Sequence, residues 1–127
     1  MNKHETNAQL LLESLIDFLS DEVGVKFKGV REKFILKLQA GENELDLRYI
    51  PTSGIVTIIN IRFNSIRTGH GTRLLKFLAQ QGQQFNYDQI RIKAPFTDEM
   101  IDFYTKHKFK PENTKVTKVI ADISNFI

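Results

Sequence analysis

Two short stretches hold the residue types that can do chemistry. The first is Ile66-Arg67-Thr68-Gly69-His70-Gly71-Thr72-Arg73, a glycine-histidine-glycine corner behind the apolar run of residues 54–63. The second is Phe103-Tyr104-Thr105-Lys106-His107-Lys108-Phe109, a tyrosine among basic residues. A strand that turns through glycines into a helix leaves unpaired N–H groups at the helix N-terminus, and these, with the helix dipole, suit phosphate. Glycines let the backbone approach an anion with no Cβ in the way. Arg67 and Arg73 flank the corner and add positive charge. Taken alone, the corner leaves two readings open: a tight turn, or a phosphate cradle. It is neither a Walker loop, since no GxxxxGK[ST] segment occurs, nor a dinucleotide fingerprint, which needs a third glycine in a parallel unit. A tyrosine hydroxyl keeps its proton at neutral pH and can hand it to a leaving group. The alternative for Tyr104 is a ring packed in the core with its hydroxyl at the edge.

Other chemistries find less support. The chain has no cysteine, which excludes disulfides and thiol catalysis. The histidines, His4, His70 and His107, stand apart from one another at no metal-ligand spacing, so no metal site is expected. With 127 residues, 41% hydrophobic and 26% charged, the chain reads as one domain, 1–127, with residues 1–6 as a flexible tail. The net charge of +3 suits an anionic ligand and falls short of a dense nucleic-acid-binding stripe. No apolar run approaches the ~20 residues of a bilayer span. The polar start, MNKHETNAQ, lacks a secretory leader, and the cytoplasm is the expected address.

The elements that must position these residues follow from periodicity. Residues 7–22 place Leu10, Leu11, Leu15, Ile16, Phe18 and Leu19 at helical spacing, behind a cap at Thr6 or Asn7. Val25–Lys28 is a strand or a loop. Phe34, Leu36 and Leu38, then Leu45, Leu47 and Tyr49, alternate with polar residues, and residues 54–63 form a third and more apolar strand. Three strands joined by the short turns AGEN and PTSG make an antiparallel meander. A helix over residues 72–84, a strand over 89–94, a helix over 97–107 capped by Thr97, and a strand over 115–123 complete an α+β order.

The two chemical stretches, in this order and at this separation, resemble the GNAT superfamily of acyl-CoA-dependent acyltransferases. The family pattern is a strand ending near Val-x-Pro, then Arg/Gln-x-x-Gly-x-Gly/Ala, a helix, a strand, and a helix carrying Phe-Tyr-x-Lys-x-Gly-Phe. Here Ile61 and Phe63 take the Val and Pro places, residues 66–71 take the loop, and residues 103–109 take the later motif. The resemblance covers roughly residues 32–123 and implies a GNAT-like mixed sheet with a shortened N-terminal helical region. It implies acetyl-CoA as acyl donor and transfer of the acetyl group to an amine acceptor, a small molecule or a protein amine. Two central strands would splay after the third meander strand. The pantetheine arm would then pair with the backbone of Ile59, Asn60, Ile61 and Phe63. The pyrophosphate would sit on the N–H groups of Arg67, Thr68, Gly69, His70, Gly71 and Thr72, with the His70 side chain a solvent-facing bystander. Thr97 would reach the cofactor arm, and Tyr104 would protonate the departing thiolate.

The chain departs from the pattern at three places. Ile66 stands where Arg or Gln is usual, Thr97 where many members carry asparagine, and Lys108 where glycine precedes phenylalanine. Neither the strand 54–63 nor the strand 89–94 carries an acid, so Glu44 and Asp46 are the nearest carboxylates to serve as base, and a solvated sheet face is the competing reading for both. A GNAT-fold module that binds acyl-CoA without efficient transfer is the alternative function. Nucleic-acid binding through Lys33, Lys37, Arg48, Arg91 and Lys93 ranks last, because the aromatic residues fall on the apolar side. A homodimer is compatible with the short N-terminal half.

Overall fold

Alternation of apolar and polar residues sets the sheet, and helical spacing sets what covers it. The computed structural model describes residues 2–64, 69–93, 98–112 and 117–126. Helix α1 (Lys3–Val23) leads into strands β1 (Lys28–Glu32), β2 (Ile35–Ala40), β3 (Asn43–Ile50) and β4 (Ile55–Arg62). Then come α2 (His70–Phe85), β5 (Gln89–Lys93), α3 (Asp98–Lys106), β6 (Lys110–Pro111), β7 (Lys118–Asp122) and a 3-10 turn, Ile123–Phe126.

The strands form one seven-stranded sheet in the order β1-β2-β3-β4-β5-β7-β6. The meander runs antiparallel from β1 to β4, and β5, β7 and β6 are antiparallel among themselves. Between these blocks β4 and β5 are parallel, which requires a crossover, and α2 supplies it. Leu36, Leu38, Leu45, Leu47, Tyr49, Val56, Ile58, Ile90, Ile92 and Val119 point to one core, closed by Leu11, Leu12, Leu15 and Leu19 of α1 and Leu74, Leu75, Leu78 and Phe85 of α2. The two helices lie side by side, with Phe18 and Phe77 stacked at 4.3 Å between ring centroids. Two tyrosines buried in this core satisfy their hydroxyls on helix carbonyls, Tyr49 on Phe85 and Tyr87 on Leu78.

Three expectations are corrected here. Residues 3–6 are not tail but the first turn of α1: the Asn2 side chain accepts from the Glu5 N–H at 2.8 Å and starts the helix. The uncertain piece, residues 25–28, is loop through Phe27, and a strand starts at Lys28 and runs on to Glu32. A short strand, β6, pairs with β7 where no strand was expected. The expected ends at Ala94, Thr97 and Lys115 lie outside the described residues.

Candidate functional site

The site begins where β4 leaves β5. Their parallel pairing runs from Ile55 opposite Gln89 to Ile58 opposite Ile92 and ends there. On the other side of β4 the register against β3 shifts at the same level: Leu47 faces Ile58, but Asp46 faces Asn60, so Ile59 is an extra, bulged residue. A bulge bends its strand and increases its twist. Past Ile59 the strand keeps β3 as a neighbour, while its pairing with β5 has ended. Ile59, Asn60 and Ile61, beyond the last pair with β5, are half-buried.

The strand end is fixed from the meander. The Asn60 amide donates to Glu44 at 2.9 Å, and Arg62 pairs with the same carboxylate at 3.1 Å. Asn43 is buried: it donates to the Ala40 carbonyl and accepts from the Asn64 N–H at 2.8 Å, holding the chain just after Phe63. Glu44 is thus committed to two partners, and Asp46 stands opposite Asn60. Arg67 and Thr68, with Ile66, lie outside the described residues, as does Thr97.

The chain re-enters at Gly69, whose φ of 86° is left-handed and open to glycine at little cost. Gly69 is the N-cap of α2 and brings no capping side chain, and no acid stands in the first turn. The N–H groups at this end have no partner within the helix, and no acid of the first turn stands against the positive end of its dipole. A Cβ at Gly69 would lie 2.7 Å from Nη1 of Arg73, and one at Gly71 would lie 3.1 Å from the ring of Phe103.

Those contacts show what surrounds the turn. Helix α3 packs on the first turn of α2: Phe103 covers Gly71, and Nε2 of His107 is 3.1 Å from Oγ1 of Thr72. Burial lowers the pKa of His107, with Lys106 and Lys76 adding repulsion. Tyr104 is on this helix, partly buried and packed against the core. Its carbonyl accepts from the Phe109 N–H while that of Thr105 accepts from Lys108, and Lys108 holds φ at 61°. This is the Schellman ending that glycine usually serves, made here by a lysine. The departure at Lys108 therefore leaves the turn intact.

His70 is corrected most. It is not a solvent-facing bystander: its side chain is 13% exposed, and Nδ1 is 2.6 Å from Oε2 of Glu22, at the end of α1. Its ring also meets Phe63 edge-on at 5.6 Å, joining the end of β4 to the start of α2. Sequence reasoning missed Glu22, Asn43 and the His107–Thr72 contact. The partners lie 48 residues apart for Glu22 with His70 and 35 for His107 with Thr72. For Asn43, its place in a turn ahead of an alternating strand was a local signal of side-chain-to-backbone bonding.

With the parallel seam of β4 and β5, the glycine turn and the packed α3 in place, the class of fold is defined: the chain has the fold of the GNAT acetyltransferases. It superposes on Tetrahymena GCN5 with a TM-score of 0.56 at 13% identity, over 100% of this chain and 95% of that one. A GNAT-family acetyltransferase from Staphylococcus aureus Mu50 aligns with a TM-score of 0.51 at 11% identity, over 97% and 96%. A Bacillus subtilis acetyltransferase, solved in complex with CoA, aligns with a TM-score of 0.50 at 15% identity, over 96% and 93%. No protein-family model matches the sequence, and no curated protein matches it. Among the described residues no helix is long and apolar enough to cross a membrane, and no group of three or more acidic or histidine side chains could hold a metal ion.

Proposed function

We propose that the protein is an acyl-CoA-dependent N-acyltransferase that moves an acetyl group from acetyl-CoA to an amine by direct attack. The observation that carries this reading is the coincidence at one point of the β4 bulge, the end of β4–β5 pairing and the uncapped, glycine-led start of α2. An extended arm fits the open side of Ile59, Asn60, Ile61 and Phe63, and a pyrophosphate fits the N–H groups led by Gly69, His70, Gly71 and Thr72, with Arg67 and Thr68 completing the loop. Glycine at both positions supports this reading by keeping the turn bare of side chains where Arg73 and Phe103 pack against it.

Acetyl-CoA, when bound, supplies a thioester whose carbonyl carbon accepts the amine and whose sulfur leaves. The chain's own residues then have three tasks. Backbone groups along β4 and the first turn of α2 bind and orient the donor. The Tyr104 hydroxyl gives its proton to the departing sulfur. With Glu44 held by Asn60 and Arg62, the proton of the ammonium acceptor leaves through Asp46 or water. Thr97 is proposed to reach the cofactor arm. The acceptor is a small-molecule or protein amine, and the cytoplasm, where acetyl-CoA is available, is the setting.

Thermal unfolding with acetyl-CoA, against ATP and NAD as phosphate-bearing controls, tests the reading. At ~100 times the dissociation constant a native-state ligand adds about 2.7 kcal/mol, a midpoint rise on the order of 10 °C for a domain of this size. No rise at millimolar acetyl-CoA refutes it. The engagement of Glu44 favours a second reading, a module that holds acyl-CoA without efficient transfer. Tyr104→Phe separates the two: in an enzyme, thiol release in the presence of amines collapses while cofactor affinity stays near wild type. In a binding module there is no turnover to lose.

A further inference from the structure

The turn between β2 and β3 is joined to the end of β4 by one buried side chain. Ala40 and Asn43 close that turn, with Gly41 left-handed at a φ of 60° between them. Past the bulge, β4 is laddered to β3 by three pairs, Asp46 with Asn60, Leu45 with Ile61 and Glu44 with Arg62, and the ladder stops there. Asn43 carries the attachment further. Its Nδ2 donates to the Ala40 carbonyl at 3.0 Å, and its Oδ1 accepts from the Asn64 N–H at 2.8 Å. Asn64 lies two residues past the last pair, so the amide oxygen stands in for a ladder acceptor. Two further contacts from this turn both end on Arg62: the Glu44 carboxylate at 3.1 Å and the Glu42 carbonyl at 3.2 Å. The Arg62 side chain is 61% exposed, and an ion pair so open to water holds little. Asn43 is 8% exposed, where an unmet donor or acceptor is costly, so its two bonds are the ones that stay made.

We propose that Asn43 is a positioning residue for the cofactor arm: its amide, braced on Ala40, holds Asn64 and so keeps residues 59–63 in the register with which the arm pairs. This rests on the reading that the arm lies along β4. A ligand that adds to a strand is held by main-chain groups, so a slip of that strand weakens every bond at once. Beyond the bulge β4 has ended its pairing with β5 and depends on the β3 side for its place. An amide suits this post because it offers a donor and an acceptor on one short stem. A carboxylate has acceptors alone, and an alanine has neither.

The test is direct binding of CoA and of adenosine bisphosphate, the phosphate-bearing end of CoA without its arm, to the full chain and its variants. Asn43→Ala removes both bonds and is expected to weaken CoA about tenfold, the scale of one lost hydrogen bond. Adenosine bisphosphate is expected to bind it as it binds the wild type. Asn43→Asp keeps an acceptor for the Asn64 N–H and loses the donor to Ala40. It is expected to unfold at a lower midpoint yet to recover most of the CoA affinity, whereas a residue that only stabilised the turn would lose affinity in step with stability. Unchanged CoA affinity in Asn43→Ala overturns the proposal, as does an equal loss for adenosine bisphosphate, which would mark general damage. An Asn43→Asp protein that is folded at the assay temperature and binds CoA no better than Asn43→Ala overturns it too. Should Asn43→Ala not fold, hydrogen exchange in the wild type decides. The Asn64 amide is expected to be protected without ligand and slowed further by CoA, and an amide that is unprotected, or that CoA does not slow, overturns the proposal. If the wild type binds no CoA, the functional reading fails and this inference with it. If the wild type binds CoA and Asn43→Ala binds it as tightly, the inference fails alone.

Discussion

Replacing Gly69 with alanine tests the cradle through two costs that can be measured separately. The backbone there has φ at 86° and ψ at 6°, a left-handed conformation that costs an ordinary L-residue roughly 1–2 kcal/mol. Alanine also loses less entropy on folding than glycine, which offsets about 0.4–1 kcal/mol. The backbone part is thus about 1 kcal/mol net against the variant. The new Cβ would in addition stand 2.7 Å from Nη1 of Arg73, closer than non-bonded atoms approach, so the guanidinium must leave its place over the turn. The far end of an arginine moves easily, so this second cost falls on ligand binding more than on stability. Denaturant unfolding is expected to show a loss of about 1 kcal/mol, a fall of some 3–5 °C in the thermal midpoint for a chain of this length. Calorimetric titration is expected to show CoA affinity reduced by more than the stability loss explains. In an Arg73→Ala background the stability cost remains, while the extra loss of affinity vanishes. A Gly69→Ala protein as stable as wild type would refute the left-handed turn, and an equal affinity loss in both backgrounds would refute the role given to Arg73.

Lys108→Gly is expected to stabilise the protein by about 0.5–1 kcal/mol, because the lysine holds a left-handed φ of 61° at the end of α3; denaturant midpoints check this. Glu22 has its pKa lowered, first by the hydrogen bond from Arg73 and then by His70. A depressed carboxylate adds stability above its unfolded pKa and loses it as pH falls through the folded one. The difference in unfolding free energy between wild type and Glu22→Gln is therefore expected to hold from neutrality down to the ordinary glutamate value and to close as the pH falls below it. For His107 the folded pKa is also lowered, mainly by burial. The unfolded chain then binds more protons below the ordinary histidine value, so stability rises with pH through that window and flattens above it. Urea midpoints between pH 5 and 7.5 are expected to show this slope in wild type and a smaller one in His107→Leu.

Much of the fold could be read from the sequence wherever one face of an element is buried and the other is not. Leu36 and Leu38, Leu45, Leu47 and Tyr49, and Leu74, Leu75 and Leu78 mark β2, β3 and α2 because each set turns to the core. Strand β1 was obscure because its inward positions are Gly29 and Arg31, neither of them apolar. Gly29 is there because a Cβ would meet Leu12 and Ile16 of α1 within 3 Å, and Arg31 instead bonds Gln9 at 3.0 Å. The start of α1 did have a local signal, Asn2 three residues before Glu5, in a stretch otherwise polar enough to pass for tail. The glycine turn was visible as a motif. The bulge at Ile59 was not, since Ile58-Ile59-Asn60-Ile61 gives no hint of which isoleucine is extra until β3 is laid beside it. Nor does any local pattern show that Glu22 and His70 meet.

The parallel seam between β4 and β5 has a mechanical consequence. Two antiparallel blocks, one built by residues before the glycine turn and one by residues after it, share four residue pairs of sheet, helped by the packing of α1 on α2. Within each block the strand pairings are mostly local in sequence, whereas the seam must wait for a helix to cross over. The amides of Val56–Ile58 and Ile90–Ile92 thus report on a hinge line between two halves of the molecule, and hydrogen exchange along it measures how often the halves part. A molecule bound beyond Ile58, where the pairing of β4 with β5 ends, would touch both blocks and act on that line as a rivet, slowing exchange at amides it never contacts.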